Sequence, residues 1–143
     1  MGYDLKSDEV LLVEDNPADA RMIKDYFSEA FNIDIKHFVD GSEVLDYLYD
    51  GDNYENKELP SIIILDINLP KIDGLKVLKK IKNDFKLKKI PVIAFGTSSD
   101  PLEVKKVYDN HANCFIVKPI DFDELNEILG CIGKFWLNLT ELP

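Results

Sequence analysis

The sequence predicts an α/β domain built around a parallel sheet, and three observations predict it. Five short apolar runs recur along the 143 residues with helical patterns between them, which is the alternation that βαβ units produce. Four of the runs are continuously apolar, as strands covered on both faces are. Helix-start residues stand just beyond three of the runs. The length suffices for one ordinary core and leaves little room for a second, so a single domain is expected over 1–143.

The first strand is Val10 to Val13. Asn16 follows as a helix cap with Pro17 at the first helical position, where a missing N–H costs nothing, and a helix is expected near 16–30. The next run, Ile33 to Phe38, begins Ile33-Asp34-Ile35-Lys36; this alternation marks an edge strand, so the second strand is placed at an edge of the sheet. A helix near 41–50 leads to the one long polar insertion, Gly51 to Pro60 (GDNYENKELP), which reads as a loop. Ile62 to Leu65 forms the third strand, with a helix near 74–84, and Val92 to Phe95 the fourth. Asp100-Pro101 repeats the capping device for a helix near 100–110. Phe115 to Val117 is the fifth strand, and Asp121 opens a last helix near 121–137 after Lys118-Pro119. In that helix Leu125, Ile128, Leu129, Ile132 and Trp136 have the spacing of a core stripe. Gly130 and Gly133 each cost it about 1 kcal/mol relative to Ala. Phe135, Leu137 and Leu139 are left over, as a patch for a partner or as packing against the N-terminal segment.

Composition excludes several classes. With 17 Lys plus Arg against 27 Asp plus Glu, the net charge of -10 repels nucleic acid and anionic membrane surfaces. The Lys-rich stretch Lys76 to Lys89 alternates with Ile81, Phe85 and Leu87 and reads as the solvated face of a helix. Cys114 and Cys131 match no metal or disulfide spacing, so reduced thiols in a cytoplasmic protein are expected. His37 and His111 are too isolated to act as ligands. The N-terminus, with Asp4, Asp8 and Glu9, resembles no secretion signal, and no apolar run is long enough to span a membrane.

In an open parallel sheet, ligands bind beyond the carboxyl ends of the strands. Here strand one ends at Glu14-Asp15, strand three at Asp66, strand four at Gly96-Thr97-Ser98 and strand five at Lys118. Any one of these acids could be a helix cap; together they put three carboxylates, hydroxyls and one ammonium on a single rim. Like charges about 4 Å apart repel by roughly 4 kcal/mol at an effective dielectric of 20, more than one Lys offsets. A hard divalent cation suits such oxygen ligands, and Mg²⁺ is commonly held by one or two carboxylates together with a phosphate oxygen. Asp66 is the best nucleophile candidate, because it follows the apolar strand and precedes a loop ending at Pro70. Two other phosphate-handling readings compete. A nucleotide or flavin binder would place a Gly-rich or hydroxyl-rich loop after strand one, where this chain has the acidic Glu14-Asp15-Asn16-Pro17. A haloacid-dehalogenase-type phosphotransferase would carry a second Asp two positions after the nucleophile, where this chain has Asn68, and would need room for a cap domain.

The segments VLLVEDNPAD (10–19), IIILDINLPKIDG (62–74), IPVIAFGTSSD (90–100) and CFIVKPID (114–121) resemble the CheY-like response-regulator receiver family over about residues 8–137. That resemblance implies a flavodoxin-like three-layer sandwich with five helices and a five-stranded parallel sheet of order 2-1-3-4-5. It implies that Glu14 and Asp15 are the acid pair for Mg²⁺, Asp66 the phosphoacceptor and a further metal ligand, Asn68 a metal ligand through its backbone carbonyl, and Lys118 the phosphoryl-contacting lysine. Phe115 matches the aromatic residue that switches position, and an ordinary packing role is compatible with that. The long loop, the Trp in the last helix and the closing FWLNLTELP resemble single-domain regulators that partner phytochrome-type sensor kinases. The implied function is phosphorelay signalling. A sensor histidine kinase or phosphotransfer protein donates, the domain catalyses only its own phosphorylation and dephosphorylation, and the face of helix four, strand five and helix five meets a downstream protein target. A homodimer is compatible with the sequence, and no output segment is evident after residue 137.

One position departs from the family. Five residues after Pro91, where the family has a Ser or Thr, stands Gly96, and Thr97 comes one residue late. Strand alternation would aim Thr97 to the other side, unless a bulge at Gly96 re-aims it. Gly96, Thr97 and Phe115 are therefore the doubtful switch set. A phosphorylation-independent interaction module is the alternative they raise. If Gly96 merely lacks a hydroxyl, Gly96→Thr is expected to restore a response at Phe115.

Overall fold

The computed structural model describes residues 9–50, 58–69 and 72–143. The N-terminal acids Asp4 and Asp8, most of the polar insertion, and Pro70 lie outside the described residues. The elements run β1 (Val10–Val13), α1 (Pro17–Phe31), β2 (Lys36–Phe38), α2 (Gly41–Leu48), β3 (Ile62–Asp66), α3 (Gly74–Asn83), β4 (Val92–Gly96), α4 (Pro101–Asp109), β5 (Cys114–Val117) and α5 (Phe122–Gly133). The five strands form one parallel sheet of order β2-β1-β3-β4-β5, so the class, the order and the edge position of β2 agree with the sequence reading.

Alternation along the strands divides the core in two. Val10, Leu12, Ile62, Ile64, Ile93 and Phe95 pack with Ile23 and Phe27 of α1 and with Leu125, Leu129 and Ile132 of α5. Leu11, Val13, Ile63, Leu65, Val92 and Ala94 pack on the other face with Val44 and Leu48 of α2, Val77 and Ile81 of α3, and Val107 of α4. Both faces of β1, β3 and β4 are thus sealed, which is why these strands read as unbroken apolar runs.

Each expected cap is present. The Asn16 carboxamide oxygen accepts from the N–H groups of Ala18 and Asp19 (3.0 and 3.1 Å), and Asp100 and Asp121 cap α4 and α5 in the same manner. Three details differ from the sequence reading. The second strand begins at Lys36 rather than Ile33, because the chain spends Asn32 and Ile33 on ending α1. Asn32 takes a left-handed conformation (φ 55°), and the Ile33 N–H returns to the Phe27 carbonyl (3.2 Å). As the order implies, β5 is the second sheet edge, but despite its continuously apolar run its residues are only half-buried and Val117 is exposed. The last helix changes register at Gly133 into a π-helical turn, Lys134–Leu139, which tucks Trp136 and Leu137 against the α1/α5 core and leaves Phe135 and Leu139 exposed. Among the described residues no helix is long and apolar enough to cross a membrane.

Candidate functional site

The carboxyl ends of β1, β3, β4 and β5 meet on one rim, and the structure brings the predicted acids together there. Carboxylate oxygens of Glu14, Asp15 and Asp66 all lie within 4.8 Å of one another. Glu14 and Asp66 are buried, being the last residues before two core strands release the chain, while Asp15 is exposed on the way into α1. The Lys118 ammonium reaches across from the end of β5. It donates to Glu14 Oε1 at 2.6 Å and to Asp19 Oδ2 at 3.3 Å, and lies 3.6 Å from Asp66 Oδ2.

Three carboxylates, Glu14, Asp19 and Asp66, therefore face the Lys118 ammonium, with Asp15 beside them. Burial pushes the Glu14 carboxyl up to about 7, with the neighbouring Asp66 adding to the rise and the Lys118 hydrogen bond opposing it. Burial works against the Lys118 charge, but its hydrogen bond to Glu14 and the charges of Glu14, Asp66 and Asp19 outweigh it and hold this ammonium above its ordinary range. An unneutralised excess of negative charge persists in a desolvated place. Its donors are hard oxygens with one exposed side, the donor chemistry that suits a hard divalent cation.

Asp66 presents its two oxygens differently. Oδ1 accepts the Asn68 N–H at 2.8 Å, whereas Oδ2 faces Lys118. The side chain is 7% exposed, so it is shielded yet still open to the rim. Behind it, the α3 start closes on the loop after β3. The Gly74 N–H donates to the Ile67 carbonyl (3.2 Å), and a Cβ on Gly74 would stand 2.6 Å from Ile67 Cα and run into the Asp66 carbonyl oxygen.

The β4 end corrects one expectation. Gly96 makes no bulge: it pairs with Val117, its carbonyl accepts the Lys118 N–H (2.8 Å), and its φ lies outside the left-handed region. Thr97 does not point to the far side either. The strand has ended at Gly96, alternation no longer applies, and the Thr97 N–H and hydroxyl lie 3.2 and 3.4 Å from Asn68 Oδ1. Phe115 is half-buried, with its ring packed over Gly96.

Sequence reasoning missed three participants. Asp19 stands in the first turn of α1, just past the Glu14-Asp15 pair, and meets Lys118 there; its nearness in sequence to the acid pair could have revealed it. Gly74 acts through a close approach that no periodicity signals. His37, read as a surface or packing residue, bonds the Glu14 carbonyl through Nε2 (2.7 Å) and so ties the β2 edge to the rim.

Residues 10–130 match the family model of the response regulator receiver domain. The chain is 36% identical over 137 residues to the probable methanogenesis regulatory protein FilR2 of Methanothrix harundinacea, covering 94% of this chain and 86% of that one. It is 37% identical over 136 residues to response regulator Rcp1 of Synechocystis, covering 94% and 92%. A crystal structure of Mn²⁺-bound Rcp1 superposes with a TM-score of 0.83 at 36% identity, over 95% of this chain and 99% of that one. The phosphorylated cyanobacterial phytochrome response regulator RcpA superposes with a TM-score of 0.89 at 38% identity, over 96% and 99%.

Proposed function

The chain belongs to the response regulator receiver domain family, and on that premise we propose that it is a phosphorelay regulator whose phosphoacceptor is Asp66. The observation that carries this reading is the convergence of Glu14, Asp15 and Asp66 within 4.8 Å around a carboxylate whose Oδ2 faces Lys118. Asp66 Oδ2 forms the new P–O bond while the bond from phosphorus to the donor imidazole nitrogen of a sensor histidine kinase or phosphotransfer protein breaks. The electron pair leaves with that nitrogen, which takes up a proton. Acetyl phosphate serves equally, releasing acetate. Water ends the phosphorylated state by attacking phosphorus as the aspartyl P–O bond breaks, which frees inorganic phosphate and restores the carboxylate.

Glu14, Asp15, Asp66 and the Asn68 backbone carbonyl would hold Mg²⁺, in keeping with the Mn²⁺ bound by Rcp1; such an ion neutralises charge on the transferring oxygens. Lys118 does the same from the other side, and its link to Asp19 fixes where its ammonium sits. Asn68 orients Asp66 by occupying Oδ1, leaving Oδ2 as the nucleophile. In this reading the domain is cytoplasmic, acts as a switch and not on an external substrate, and signals to a downstream protein or a second copy through the surface around α4, β5 and α5. Intact-mass measurement after acetyl phosphate with Mg²⁺ tests it: one phosphoryl group is expected on the wild type, and none in EDTA or on Asp66→Ala. Equal labelling of Asp66→Ala would contradict it.

A further inference from the structure

The end of β4 shows how a phosphoryl group on Asp66 would be felt elsewhere, an inference that rests on the phosphoacceptor reading. A Cβ placed on Gly96 would stand 2.5 and 2.6 Å from Cζ and Cε1 of Phe115. These are separations that real carbon atoms do not tolerate, so any side chain at 96 and the observed ring position exclude one another. The strand ladder through Gly96 is regular, and its backbone is not left-handed. Glycine is therefore here for volume and not for conformation. Phe115 is held from the α4 side as well: its N–H donates to the Tyr108 hydroxyl (3.1 Å), which anchors the β5 backbone to α4. One turn earlier on that helix, Glu103 places Oε1 3.5 Å from the same Cβ position, buried and with no hydrogen-bond partner among the described residues. A ring that swung outward would leave that space to water, and a threonine in place of Gly96 would have to push the ring out.

Thr97, by contrast, is wired to the acid site. Asp66 Oδ1 accepts from the Asn68 N–H, and Asn68 Oδ1 accepts from the Thr97 N–H, with the Thr97 hydroxyl at 3.4 Å. This path leads from the phosphoacceptor to the β4–α4 connection without touching Phe115.

We propose that two adjacent residues divide the end of β4 between two tasks. Gly96 gives its side-chain space to Phe115, which fixes the ring in one position whether or not Asp66 carries phosphate. Thr97, positioned by Asn68, is the residue that responds to the phosphoryl group. The α4–β5 surface around Phe115 is then preset, and the signal leaves by the connection that opens α4.

The test is ¹⁹F NMR of full-length protein carrying 4-fluorophenylalanine, with the Phe115 resonance identified through Phe115→Leu, alongside ¹H–¹⁵N spectra. In metal-free wild type, a soluble paramagnetic agent should barely broaden the Phe115 resonance. In Gly96→Ala the resonance should move and broaden severalfold more. A broadened resonance in the wild type overturns the proposal without reference to any variant, as does an unmoved one in folded Gly96→Ala. Beryllium fluoride with Mg²⁺ should then shift the Asn68 and Thr97 amides and leave Phe115 in place, and Thr97→Val should blunt the shifts along the β4–α4 connection. A Phe115 displacement on beryllofluoride as large as that in Gly96→Ala overturns the proposal. Absence of a bound-fluoride resonance would instead refute the phosphoacceptor reading and leave the ring to be judged by the metal-free arm.

Discussion

The two halves of one sheet rim are built by different forces. Where β1 and β3 end, the buried Glu14 and Asp66 and the more open Asp15 and Asp19 gather around the Lys118 side of the rim, and the arrangement is held by charge. Where β4 and β5 end, Gly96 and Phe115 meet by shape, and Thr97 and Lys118 cross to the charged half. The difference teaches that the chemistry of a site and its readout can sit a few ångströms apart and answer to separate substitutions.

Removing the ammonium strains that separation most. Lys118→Met takes away the cation that, among the described residues, faces Glu14, Asp19 and Asp66. Phosphoryl uptake from acetyl phosphate should fall by about 10²–10³, as when a single preorganised charge donor is removed from a transition state. The rate of labelling by intact mass checks this, and a rate within a factor of about three of wild type would mean that the ammonium does not face the transferring group. The environment of Phe115 should be untouched, since its ring is set by packing over Gly96.

Gly74→Ala comes next. Its Cβ meets backbone atoms of Asp66 and Ile67, which cannot swing aside as a side chain could. About 1–3 kcal/mol of stability should be lost, with weakened binding of Mg²⁺, both read from urea melts with and without the ion. Gly96→Ala runs into a movable ring, with Glu103 Oε1 only at ordinary contact distance, so it should cost less and leave the response to Mg²⁺ intact. Equal costs would erase the contrast between the two glycines.

The most gradual effect is on pH dependence. Without a cation, Glu14 in the folded protein titrates near 7, against 4.5 for the ordinary group. Between those values the folded state keeps a proton that the unfolded state has released, so this group's contribution to stability falls as pH rises through the window. The slope is at most about 1 kcal/mol per pH unit. Urea midpoints in EDTA at several pH values should show wild type losing ground to Glu14→Gln on going from acid to neutral pH, and Mg²⁺ should reverse the loss. A parallel pair of curves would place Glu14 in a solvated setting.

What was legible in the sequence follows the same division. The class, the edge position of β2, the caps at Asn16, Asp100 and Asp121, and the convergence of Glu14, Asp15, Asp66 and Lys118 could be read because residue type and position along a strand decide them, while the full strand order came from the family resemblance. Gly74 and the Gly96–Phe115 contact could not, since a close approach depends on the path of two distant segments in space. Thr97 was misjudged because alternation was carried one residue past the end of β4. The second strand was drawn too long because ending α1 uses residues whose apolar pattern mimics a strand.

The central claim is that acids separated along the chain form one divalent-cation site beside Asp66. Paramagnetic broadening of the ¹H–¹⁵N spectrum by substoichiometric Mn²⁺ tests it most directly. Amides at 14–15 and 66–68 should fade first and together, and Mg²⁺ should restore them. Broadening centred on the acids of α5, Asp123, Glu124 and Glu127, or spread evenly over the surface, would contradict it.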